Sequence, residues 1–113
     1  MSSAKPTILT PPQRQVEIKL GDTLTLQCTV RGSPAPYINW RLNWGHICRD
    51  CAEYNRCTMI QTADPNDASV ITGTLTVRNV NVNDGGAYSC EALNNQGFTF
   101  AVPDAIVSVI VGL

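Results

Sequence analysis

Histidine occurs once in this 113-residue chain, at His46, and that scarcity removes most common routes to acid–base catalysis. There is no glycine-rich phosphate loop and no H-E-x-x-H pair of metal-binding histidines. Charge is sparse as well, at 15% of residues and a net −1, and the basic residues Lys5, Arg14, Lys19, Arg31, Arg41, Arg49, Arg56 and Arg78 are scattered. No basic stripe is present, which argues against a nucleic-acid footprint or a heparin-type patch. No apolar run is long enough to span a bilayer, so membrane insertion is not expected, and Met1-Ser2-Ser3 opens no apolar signal region. No N-x-Ser/Thr sequon occurs, and no Ser-Gly dipeptide offers an evident attachment point for a glycosaminoglycan chain.

What the chain does have is cysteine. Five in 113 residues point to an oxidising, extracellular compartment. With no signal region in view, the expectation is one module of a longer secreted protein. The length suits a single domain, and 43% hydrophobic content suits a packed core rather than a disordered tail.

Most segments alternate apolar and polar residues with the period of two that marks half-buried strands. Gln15–Leu20, Thr23–Val30, Ile38–Leu42, Gly73–Val80 and Ala87–Leu93 all do so, and Thr58–Thr62 reads as a further short strand. Ala63–Ser69 is rich in turn residues and reads as a polar loop. Asn94–Gly97 reads as a hairpin turn, and the last strand, Phe98–Val111, is interrupted at Pro103-Asp104 by a bulge or kink. The total is about eight short strands.

Two linked features give this pattern a fold. Cys28 is followed twelve positions later by Trp40, and Asp84–Cys90 reads D-x-G-x-Y-x-C. A Cys28–Cys90 bridge with Trp40 beside it, and Tyr88 two positions before the second cysteine, is the signature of an all-β immunoglobulin-like sandwich of two antiparallel sheets. Trp40, Tyr88 and Leu75 are then core residues, and the Tyr88 hydroxyl should bond backbone at the corner that Gly86 turns. Asp84 can cap turn amides and pair with an arginine across the base of the sandwich. The gap between Leu42 and Gly73 is short for two extra strands, which favours the intermediate set. The domain is placed at residues 11–111, with residues 1–10 as an extension that begins the first edge strand.

The irregular part is His46–Cys57, where one histidine and three cysteines fall within twelve residues. His46, Cys48, Cys51 and Cys57 match the ligand types of a closed zinc site. An oxidising compartment favours a disulfide instead, Cys48–Cys57 first and Cys51–Cys57 as runner-up, with one cysteine left over in either case. A Cys–His nucleophile is disfavoured because disulfide bonding would consume the thiols. The same stretch gathers Trp44, His46, Tyr54 and Arg56, residue types that carry interface energy, and these form the candidate contact surface. Trp44 could instead pack beneath the cysteine loop.

The run from Ile38 to His46, I-N-W-R-L-N-W-G-H, together with Asp84–Gly97 and Ala101-Val102-Pro103-Asp104, resembles the immunoglobulin domains of the perlecan family. These are the core proteins of basement-membrane heparan sulfate proteoglycans. The resemblance covers roughly residues 11–110, and an invertebrate member is the expectation. The cluster Cys48, Cys51, Cys57 is richer in cysteine than that family suggests. The resemblance implies a secreted, non-catalytic matrix module without cofactor, serving as spacer and adhesion domain. Its partners would be matrix or cell-surface proteins and neighbouring immunoglobulin modules. The alternative is a ligand-binding domain of a cell-surface receptor or adhesion molecule.

Overall fold

The computed structural model describes residues 3–45, 47 and 56–111. The described strands are β1 (Ala4–Thr10), β2 (Gln15–Lys19), β3 (Leu24–Ser33), β4 (Tyr37–Leu42), β5 (Cys57–Asp64), β6 (Asp67–Val77), β7 (Gly86–Asn94), β8 (Gly97–Phe100) and β9 (Ala105–Ile110), with a 3-10 turn at Val82–Asp84. One sheet has the order β1-β3-β6-β5, and the other β2-β9-β7-β4 with β8 also on β7. β8 and β9 follow one another along the same strand. β9 pairs Gly86–Tyr88, β8 pairs Glu91–Asn94, and the break between them holds Pro103, so the expected interruption of the last strand is present.

The first strand is also divided. β1 pairs antiparallel with β3 in one sheet, and β2 pairs parallel with β9 in the other. Pro11 and Pro12 lie between them, where the missing N–H groups and fixed φ suit a chain leaving one ladder for another.

The alternating residues of both sheets meet in a core that includes Leu24, Leu26, Val30, Ile38, Leu75 and Val77. Cys28 and Cys90 are bonded across it with their Cα atoms 6.5 Å apart. The loop they close is 62 positions long, for which chain entropy gives a stabilisation of about 4 kcal/mol. Trp40 is opposite Cys90 in the ladder and is 1% exposed. Tyr88 is as deeply buried, and its hydroxyl donates to the Asp84 carbonyl at 2.6 Å. Burial pushes the phenol well above its usual range, the nearby Asp84 charge adds to this, and Arg56 opposes it.

Two sequence expectations are corrected. Ala63–Ser69 is not a loop. β5 continues to Asp64 and β6 begins at Asp67, so Pro65-Asn66 alone makes the turn. The Asp64 carboxylate accepts from the Asn66 amide, and Asp67 accepts from the amide and hydroxyl of Ser69, so the tip needs no longer loop. The strand expected over Thr23–Val30 likewise runs on to Ser33, where Ala4 pairs with it.

Gly73 is a position the sequence did not single out. It lies opposite Cys28 in β6, and a Cβ there would meet Ile38 side-chain atoms of the facing sheet at 2.7 and 2.8 Å. The sheets approach closely at the disulfide because this residue has no side chain. Gly73→Ala is expected to lower unfolding free energy by about 1–3 kcal/mol through overpacking, read from the denaturant midpoint. An unchanged midpoint would mean that Ile38 moves aside without cost.

Candidate functional site

Leu42, the last residue of β4, and Gly45 form a two-residue turn closed by Leu42 N–H to Gly45 O at 3.1 Å and Gly45 N–H to Leu42 O at 3.0 Å. The central residues Asn43 and Trp44 both have positive φ, at 51° and 66°, as a type I′ turn requires. Asn43 suits the position. Its side chain accepts from the Ala87 amide at 3.0 Å, and its own amide donates to Ala87 O at 2.7 Å. Gly86 makes room for it, since at φ 144° a Cβ would meet Asn43 Oδ1 at 2.6 Å.

Trp44 is a bulky residue in the left-handed region, a conformation that costs about 1–3 kcal/mol where the surroundings enforce it. The turn throws its ring onto the outer face of the five-stranded sheet, where it meets Phe100 edge to face with centroids 5.3 Å apart. Phe100 in turn meets Phe98 edge to face at 5.9 Å. Trp44 stays 62% exposed, and Phe98 equally so. The ring therefore packs on the last strand and not as a buried satellite cluster.

Register explains why both phenylalanines are outside. Cys90 points into the core, so Glu91 and Leu93 point out, and these oppose Phe100 and Phe98. On the other flank Tyr37 opposes Leu93 and is 54% exposed. Between the rings Arg41 Nε donates to Glu91 Oε1 at 3.3 Å, and Asn39 Nδ2 approaches the same oxygen at 3.5 Å. Ser89, also on this face opposite Arg41, is fully buried beneath the surrounding side chains. Phe98 and Phe100 were missed as surface residues. The available signal was two aromatics at alternate positions after the Asn95-Gln96 turn, on the face that ought to be polar.

Arg56, expected at the same surface, lies at the opposite sheet's base and is tied into structure there. Its guanidinium makes two parallel bonds to Asp84, Nη1–Oδ2 at 2.8 Å and Nη2–Oδ1 at 3.0 Å, and Nη1 also reaches the carbonyls of Arg78 and Asn79. The side chains are only 16% and 7% exposed. Asp84 Oδ2 also accepts from the Asn81 amide at 2.8 Å, completing a capping box with Asn81. This is the Asp–Arg pair anticipated from the corner motif.

His46, Cys48, Cys51 and Tyr54 lie outside the described residues. Cys57 is disulfide-bonded. Its sulfur is therefore not a thiolate ligand, and the zinc site at His46, Cys48, Cys51 and Cys57 loses one of its four members. Among the described residues no cluster of His, Cys, Asp or Glu could hold a metal ion.

Two facing sheets bonded at their centre, with a tryptophan beside the sulfurs and a tyrosine corner, define an immunoglobulin-type sandwich. The family model "Immunoglobulin domain" matches residues 5–94, and the chain belongs to that family. It is 40% identical over 105 residues to the basement membrane-specific heparan sulfate proteoglycan core protein of Mus musculus, and 42% identical over 106 residues to the basement membrane proteoglycan of Caenorhabditis elegans. These matches cover 93% and 94% of the chain but only 2% and 3% of those proteins, so the chain spans a small fraction of either. Among solved structures, it superimposes on one chain of the titin M10–obscurin-like 1 immunoglobulin complex with a TM-score of 0.74 at 26% identity, over 99% of both chains.

Removing Arg56 would leave a nearly buried carboxylate unpaired. Arg56→Ala is expected to cost about 3 kcal/mol, measured by urea unfolding. A loss below about 1 kcal/mol, typical of exposed pairs, would show that solvent already screens the site.

Proposed function

We propose that this domain is a non-catalytic module of a basement-membrane proteoglycan core protein, secreted into the extracellular matrix, where it spaces its neighbours and contacts other proteins. The observation that carries this is identity of 40–42% over more than nine-tenths of the chain to two proteins whose names place them in basement membrane. The expected partners are matrix or cell-surface proteins and adjacent immunoglobulin modules. The solved neighbour that is itself a complex of immunoglobulin domains supports contact of this kind. Strand lengths and sheet order are compatible with the intermediate set; in this reading residues 11–111 are the domain and residues 1–10 an extension that begins its first edge strand, the described part being β1 on β3. The exposed rings beside Trp44 favour a second reading, a ligand-binding domain of a cell-surface receptor or adhesion molecule.

Within the contact reading Trp44 is the anchor, with His46 and Tyr54 near it in sequence. Trp44→Ala should weaken capture by matrix proteins immobilised on a sensor surface by about 2 kcal/mol while leaving the melting temperature within a few degrees. A large fall in melting temperature with no specific binding loss would leave only the spacer role.

The partner of Cys57 in this reading is Cys48, leaving Cys51 as the odd thiol. Alkylation of the denatured, unreduced domain followed by peptide mapping should label Cys51 alone. Label at Cys48 would assign the bridge to Cys51–Cys57.

A further inference from the structure

We propose that the outer face of the five-stranded sheet is a self-association surface whose occupant is a second copy of this domain, turned about a two-fold axis. The proposal rests on the contact reading above and names its partner. Three observations lead to it.

The first is area. Trp44 and Phe98 are each 62% exposed and Tyr37 54%, so these three rings alone leave roughly 400 Å² open, the size of the largest apolar patch on a typical monomer, which is often functional. With Ile106 of β9, 46% exposed, and the polar side chains between the rings, the face approaches the ~800 Å² that a specific interface buries on each partner.

The second is charge. The middle of the face carries one cation and one anion, Arg41 and Glu91, and their contact uses only Arg41 Nε and one carboxylate oxygen. The terminal guanidinium nitrogens of Arg41 have no hydrogen-bond partner among the described residues. A patch whose centre carries one charge of each sign is self-complementary there under a two-fold rotation, because Arg41 of each copy can then meet Glu91 of the other.

The third is layout. The rings of β8 and the polar residues of β4 lie on opposite flanks of β7. A two-fold running along β7 sets Phe98 and Phe100 of one copy over Tyr37 and Asn39 of the other, with Arg41 one step beyond, beside Phe100. That juxtaposes ring with ring and guanidinium with ring. The strained Trp44 turn holds one border of the stripe fixed in advance, lowering the ordering cost of association.

The test uses the 113-residue chain, alkylated without reduction so that an odd thiol cannot cross-link two copies. Sedimentation is followed from about 10 μM to 1 mM, the range expected of a small wet interface. Concentration-dependent dimerisation is expected, with amide shifts on dilution confined to β4, β7 and β8. Phe98→Ser, at an exposed position, should raise the dimer Kd by about tenfold or more. Arg41→Glu and Glu91→Arg should each abolish self-association, and an equimolar mixture of the two should dimerise again. Melting curves verify that each variant is folded, and Phe98→Ser carries the test if a charge variant is not.

A wild-type chain that stays monomeric to ~1 mM, dimerisation indifferent to Phe98→Ser, or a mixture of folded charge variants that stays monomeric would each overturn the proposal. Matrix capture failing while the dimer persists would sink the matrix reading alone. Capture persisting without a dimer would sink only the second copy as occupant.

Discussion

The sandwich depends on how closely its sheets meet at the Cys28–Cys90 bond. That bond fixes which way two strands face, and the period of two carries the choice along both. With Cys90 facing the core, Tyr88 and Ala92 also face it, and Ser89, Glu91 and Leu93 face the other side of the sheet. The Asn95-Gln96 turn passes that choice to the next strand, so Phe98 and Phe100 emerge on the surface. A slip of one residue would bury Glu91 and expose the disulfide. The core bond and the outer aromatic face are thus consequences of one register, and Gly73 permits the close approach that the bond requires.

The base of the molecule is held by a different device. The Asp84 carboxylate joins the 3-10 turn, the entrance to β5 through Arg56, and the β6 exit, whose carbonyls share the same guanidinium. The backbone carbonyl of Asp84 meanwhile receives the Tyr88 hydroxyl. The Arg31–Asp67 contact at the hairpin tip offers a contrast. At 3.7 Å, with both side chains about half exposed, it orders little. Two arginine–aspartate pairs in one small domain differ in worth because one is shielded and bidentate and the other is neither.

Much of this was legible in the chain itself. The spacing of Cys28, Trp40, Tyr88 and Cys90 announces the fold, and alternation places Leu75 and Ile38 inside it. Asp84 asked for a cation, but composition could not say which arginine reaches it. Arg56 therefore read as surface until the β5 register brought it to the base. The tip residues Ala63–Ser69 looked like loop because their types favour turns, yet only Pro65-Asn66 turn and the flanking aspartates cap themselves. Trp44 was noticed, but its geometry was not, since a positive φ at tryptophan runs against intrinsic preference and comes from the tie between Asn43 and Ala87. Phe98 and Phe100 were hidden by the assumption that apolar strand residues point inward.

The divided first strand has a mechanical consequence. β2 runs parallel to β9, so the chain enters one member of the pair at the same end as it enters the other. Tension drawing the start of β2 away from the end of β9 pulls the two strands in opposite senses along their length. The cross-strand bonds between Gln15–Lys19 and Ile106–Ile110 are then loaded together in shear and do not open one at a time. β1 is held to β3 by a ladder broken by two register shifts, and so resists the same pull less than the unbroken β2–β9 ladder. A strand shared between two sheets thus gives the domain a part that yields early under tension and a part that resists.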